Sequence, residues 1–183
     1  MKTAPIILAA LLAAAALAAE APGTADEITE TPPELGFKAV KATCEEVLTP
    51  YLVRLEVLGD CALIGVTVMP KTDPYYGKAL QFVKDRVAGK EVRVEVCPNI
   101  PQNSQGQNRV LVYYWNGDEW VNLSIDLIAA GLAKVADVPG CHVPTKGWLA
   151  IESGARKARL GLWATFKEPG AMKTDKPDLS DFE

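Results

Sequence analysis

The sequence predicts an α+β, mainly β domain, a five-stranded barrel with three helices, and three observations carry that expectation. Leu52 to Val57 alternates apolar and polar residues with the two-residue period of a half-buried strand. From Tyr76 the period lengthens, and Tyr76, Ala79, Leu80, Val83 and Val87 recur at helical spacing. EVRVEV at 91–96 then returns to strict alternation. Strands therefore flank a helix within residues 37–166, a span that suits one domain.

In chain order, Phe37 to Thr43 reads as the first strand and Leu52 to Val57 as the second. Leu58-Gly59-Asp60 is a turn, and Cys61 to Val66 returns as the third strand, paired antiparallel with the second. The helix that follows has Gly89 as its stop. Glu91 to Val96 is the fourth strand, Pro98 to Asn108 a loop rich in Pro, Asn, Gln and Gly, and Arg109 to Trp115 the fifth strand. Asn116-Gly117 signals a hairpin into Glu119-Trp120-Val121. Asn122 is placed to cap a helix from Leu123 to Ala130, ended by Gly131, and a last helix runs from about Gly147 to Arg159. Three meander strands, a helix and two further strands are the plan of an OB-fold. Fold alone assigns no job.

The ends of the chain set expectations about compartment. Met1-Lys2 supplies a short positive end, Ile6 to Leu17 is almost wholly Ile, Leu and Ala, and Ala16-Leu17-Ala18 offers the small-x-small pattern of a cleavage site. Residues 1–18 are read as a signal peptide, 19–36 as a flexible linker, 37–166 as the domain and 167–183 as a disordered tail. The apolar run is too short to span a bilayer, so no membrane span is expected after cleavage, and the protein is expected to be secreted or periplasmic. All four cysteines, Cys44, Cys61, Cys97 and Cys141, lie in the mature part, and an even count in an exported chain suggests two disulfides among three pairings. With no C-x-x-C spacing and His142 the only histidine, zinc is not expected. Residues 37–166 carry 15 basic against 13 acidic side chains, no strong electrostatic footprint for nucleic acid.

LIGV at 63–66, YGKALQFVKDRVAGKEVRVEV at 76–96, NRVLVYYWNGDEWVNLSIDLIAAGLAKV at 108–135 and ARKARLGLW at 155–163 resemble the staphylococcal nuclease-like (thermonuclease) family over nearly all of 37–166. The resemblance implies an OB barrel with three helices. For active members it implies calcium-dependent cleavage of phosphodiesters in DNA and RNA. Their calcium-binding Asp, general-base Glu and phosphate-clamping Arg fall here on Thr67, Pro70 and Ala62, and the Pro of their Asp-x-Pro-Glu falls on Met69. A second calcium-binding Asp falls on Leu48 or on Tyr51, depending on the end from which the count is made. The Asp-x-x-Gly-Arg signature keeps Arg109, while its Asp, usual Tyr and Gly fall on Gln105, Gln107 and Asn108. Two nucleotide-embracing tyrosines fall on Asp137 and Pro139.

Two anionic ligands and a base are thus missing from a site that would need hard, charged oxygens. The expectation is a domain that has lost the reaction and serves as a binding or structural module. No cofactor is expected; calcium enters only under the alternative, a divergent nuclease using Glu45 or Glu46, Asp73 and Arg109. The ligand or protein partner is not named by any motif, and nucleic acid is weakly supported. Arg109 reads either as an anion contact or as a surface arginine paired with a loop acid, and Asp73-Pro74 mimics a displaced Asp-x-Pro. The four tryptophans suit base stacking or ordinary packing. The resemblance also implies a Cys97–Cys141 disulfide, leaving Cys44 with Cys61 as the second.

Overall fold

The structure, a computed structural model, describes residues 39–141 and 143–165. The segments read as signal peptide, linker and tail, and His142, lie outside the described residues. Eight strands and three helices follow in the order β1 Val40–Thr49, β2 Leu52–Leu55, β3 Gly59–Leu63, β4 Val66–Val68, α1 Pro74–Val87, β5 Glu91–Val96, β6 Asn108–Trp115, β7 Trp120–Asn122, α2 Leu123–Ala129, β8 Ala133–Val135 and α3 Thr145–Lys157. A 3₁₀ turn at Gly161–Ala164 closes the described chain.

The main sheet has the order β3-β2-β1-β5-β6-β7, and a parallel pairing of β3 with β6 closes its first five strands, leaving β7 outside the ring. Strands β1, β2, β3, β5 and β6 therefore form a closed five-stranded barrel, the predicted α+β OB architecture with three helices. The long first strand serves two partners. Val40–Thr43 pairs with β5, and from Cys44 onward the strand pairs with β2. Register shifts between Cys44 and Glu46 and between Val47 and Thr49 give it the bend that closure needs. The same shifts put Glu45 and Glu46 consecutively at the surface between buried Cys44 and Val47. That break in alternation hid six residues of the strand from a periodicity reading ending at Thr43.

Inside the barrel, Val53, Leu55, Val92, Val94, Val110 and Val112 are all at most 1 % exposed. The stripe predicted on α1 is realised through Ala79, Val83 and Val87. Asp73 caps that helix by accepting the Tyr75 N–H at 2.8 Å, and Pro74 occupies its first turn, where no amide hydrogen is needed. Asn122 caps α2 through Oδ1, which accepts the N–H groups of Ser124 and Ile125. Trp120, Trp148 and Trp163 are buried and only Trp115 is substantially exposed, so packing accounts for three of the four indoles. Strands β4 and β8 form a separate two-stranded ladder, Val66↔Val135 to Val68↔Ala133.

Cys97 and Cys141 form a disulfide with Cα atoms 5.7 Å apart. The second expected bridge is absent: Cys44 and Cys61 are free, buried thiols. Strand β2 runs between their strands, Cys44 opposite Leu55 and Cys61 opposite Val53. They are thus two strand spacings apart, roughly 10 Å, and offset along the strands, beyond the 7 Å or so a disulfide spans.

Candidate functional site

At one end of the barrel, the turn from β1 to β2, strand β4 and the chain leading into α1 enclose a cleft of about 490 Å³. Tyr51 comes from the two-residue turn, where its carbonyl accepts the Leu63 N–H at 2.8 Å and its own N–H reaches Thr49 Oγ1 at 3.3 Å. Thr67 stands exposed at the centre of β4, opposite Lys134. Met69, Pro70 and Lys71 continue the wall, and Tyr76 arrives from the first turn of α1. The cleft therefore brings Tyr51 from the β1–β2 turn together with Thr67 of β4 and Pro70 just beyond it. Of the two residues counted for the second calcium-binding Asp, Tyr51 lines the cleft and Leu48 does not.

Arg109 is half-buried at the start of β6, opposite Ala62 on the parallel pair that closes the barrel. The structure thus places Ala62, the position matched to the phosphate-clamping Arg, beside the retained Arg109. Arg109 is not part of the cleft wall, and among the described residues it forms no ion pair, including the expected one with a loop acid. Its backbone is well held, with N–H donated to Pro101 and carbonyl accepting the Cys97 N–H.

The loop before it is organised by amides. Asn103 Oδ1 accepts the N–H groups of Gln105 and Gln107, both at 3.0 Å, and Asn103 Nδ2 donates to Gln107 Oε1 at 2.7 Å. Asn108 Nδ2 donates to the Leu58 carbonyl at 2.7 Å, fastening the loop to the β2–β3 turn. Gln105 and Gln107 therefore present neutral groups where the family signature has Asp and Tyr. Asp137 and Pro139 are exposed beyond β8.

The residues matching the calcium site do not fit a calcium ion. Hydroxyls, a thioether, a proline and an ammonium line the cleft, whereas a hard divalent cation wants six to eight oxygens, several of them charged. Two of the three carboxylates named as substitutes are engaged elsewhere, and Glu45 stands exposed on β1. Glu46 accepts from Arg54 Nη1 at 3.2 Å, and Asp73 caps α1. Among the described residues no group of three or more His, Cys, Asp or Glu stands together as a metal set.

The sequence model of the family described as staphylococcal nuclease homologue matches residues 60–165, more than half of the chain. The chain belongs to the staphylococcal nuclease family. It is also similar to Probable endonuclease LCL3 of Komagataella phaffii, with 30 % identity over 110 residues, covering 56 % of this chain and 46 % of that relative. The chain thus spans less than half of the relative's length. Within the family fold, the second strand pair was missed at sequence level because β4 and β8 are three residues each, too short to show a period. In the structure Glu152 on α3 accepts the Val135 N–H at 2.6 Å and holds that strand in place.

Proposed function

We propose that this member of the staphylococcal nuclease family no longer hydrolyses phosphodiester bonds and acts as an exported binding or structural domain. One observation carries the reading: Tyr51, Thr67 and Pro70, which the family resemblance matches to two calcium ligands and the general base, line one cleft and none is a carboxylate. Loss of the base alone costs about 10²–10⁴ in rate. Loss of the metal and of one arginine leaves charge on the phosphoryl oxygens unmatched in the transition state. The Cys97–Cys141 bridge is compatible with an extracellular location. Among the described residues no helix is long and apolar enough to cross a membrane.

The rival reading is a divergent calcium-dependent nuclease, favoured by the similarity to a protein named as a probable endonuclease. It would have to recruit Glu45 or Glu46, Asp73 and Arg109, of which Glu46 and Asp73 are already engaged. Incubation of the purified protein with labelled single-stranded DNA and millimolar calcium separates the two. The expected result is intact DNA. Calcium-dependent cleavage that disappears in Arg109→Ala would establish the nuclease instead.

A further inference from the structure

We propose that the cleft has exchanged cation for anion, and that it binds a phosphate monoester directly, without metal, through Lys71 and the hydroxyl groups around it. The proposal rests on the reading of a lost calcium site. Thr49, Tyr51, Thr67, Lys71 and Tyr76 all line the cleft, and all carry a hydrogen-bond donor. No carboxylate lines it. Lys71 is exposed and forms no ion pair or side-chain hydrogen bond among the described residues. Asp73, the nearest acid along the chain, is held by the Tyr75 N–H at the start of α1. Thr49 Oγ1 accepts a backbone N–H, which leaves its own proton free to donate outward.

The chemistry follows from that inventory. An array of donors with one positive charge and no acceptor of full negative charge repels a cation and favours an oxyanion. A tetrahedral phosphate, with three terminal oxygens, can use several hydroxyl donors and an ammonium at once. The volume of about 490 Å³ exceeds what a bare anion needs and lies in the range of small-molecule sites. Val66, Val68 and Met69 supply apolar wall for the organic part of a phosphate ester, and the rings of Tyr51 and Tyr76 border the same space.

Calorimetric titration in EDTA at low ionic strength tests this with four probes: inorganic phosphate, a nucleoside 5′-monophosphate, the same nucleoside without phosphate, and acetate. The monophosphate is expected to bind without metal, the nucleoside and acetate not to bind. Equal affinity for inorganic phosphate would make the anion the whole ligand; tighter monophosphate binding would add the apolar wall. Lys71→Gln should weaken binding by about tenfold or more, with Lys71→Arg retaining it. Thr67→Val, a second exposed position, should weaken it several-fold, and thermal melts of each variant verify folding. Absence of phosphate binding up to about 10 mM, binding that requires calcium, or unchanged affinity in both Lys71→Gln and Thr67→Val would overturn the proposal. Intact DNA with no phosphate binding would remove this inference alone, whereas calcium-dependent DNA cleavage would remove the reading beneath it.

Discussion

Trp148 lies across Gly65 so closely that a Cβ added to the glycine would meet indole Cζ3 at 2.1 Å. Gly65 also sits at φ +79°, where L side chains are strained, and its carbonyl accepts the Ala136 N–H at 3.0 Å. This one residue, between β3 and β4, lets α3 pack its buried tryptophan on the chain that carries the cleft. Gly65→Ala should therefore destabilise the fold by about 2–4 kcal/mol, combining overpacking with backbone strain. Urea denaturation monitored by tryptophan fluorescence would check it. A loss below about 0.5 kcal/mol would mean that α3 shifts freely, contrary to its seating here.

The cysteines give a second expectation. Non-reduced protein should be lighter by one disulfide, not two, than the fully reduced chain. Two thiols should react with a thiol reagent only after unfolding, because burial raises both Cys44 and Cys61 from about 9 to about 11. A thiol raised in the fold contributes stability that is complete below pH 9 and is lost as pH rises towards 11. Replacing Cys97 and Cys141 together by serine should cost about 4 kcal/mol on the loop-closure estimate, since 44 residues separate them.

Alkaline titration gives a third expectation, at Tyr114. Burial, then the hydrogen bond to Asp126, raises its phenol from 10 to about 12. The neutral phenol donates to Asp126 Oδ2 at 2.5 Å, while Arg86 Nε contacts the same oxygen and lies 3.1 Å from the phenol oxygen. Because the fold favours the protonated form, stability from this group should be intact below pH 10 and disappear as pH passes 12. The late-ionising component of the ultraviolet difference spectrum should fall by one tyrosine in Tyr114→Phe. Asp126→Ala should cost about 1.5–3 kcal/mol, because it leaves a partly buried Arg86 without its partner.

Restoring anions to the cleft should restore a calcium response. Tyr51→Asp with Thr67→Asp places two carboxylates on its wall. If the resulting affinity is about 1 mM, 10 mM calcium stabilises the variant by roughly 1.4 kcal/mol and leaves the parent unmoved. A melting shift in the parent equal to that of the variant would contradict the charge argument. Adding Lys71→Gln should strengthen the response by removing the competing ammonium.

Most of the barrel was legible in the chain. Alternation at Glu91–Val96, the helical stripe from Ala79 to Val87 and the Asn122 cap are local patterns that formed as expected, while the strand read over Leu52–Val57 stops at Leu55, before Val57 turns at φ +70°. Periodicity failed at β1, where register shifts break the alternation, and at β4 and β8, where three residues cannot display one. The site divides in the same way. Sequence by itself determined that Thr67 and Pro70 are neutral and that Arg109 remains, because residue identity is written directly in the chain. Tertiary structure alone decided that Tyr51 rather than Leu48 borders the cleft, that Asp73 is engaged in capping, and that β2 separates Cys44 from Cys61. Pairing, capture and exclusion are distances between residues far apart in the chain, and a one-dimensional pattern carries no distance of that kind.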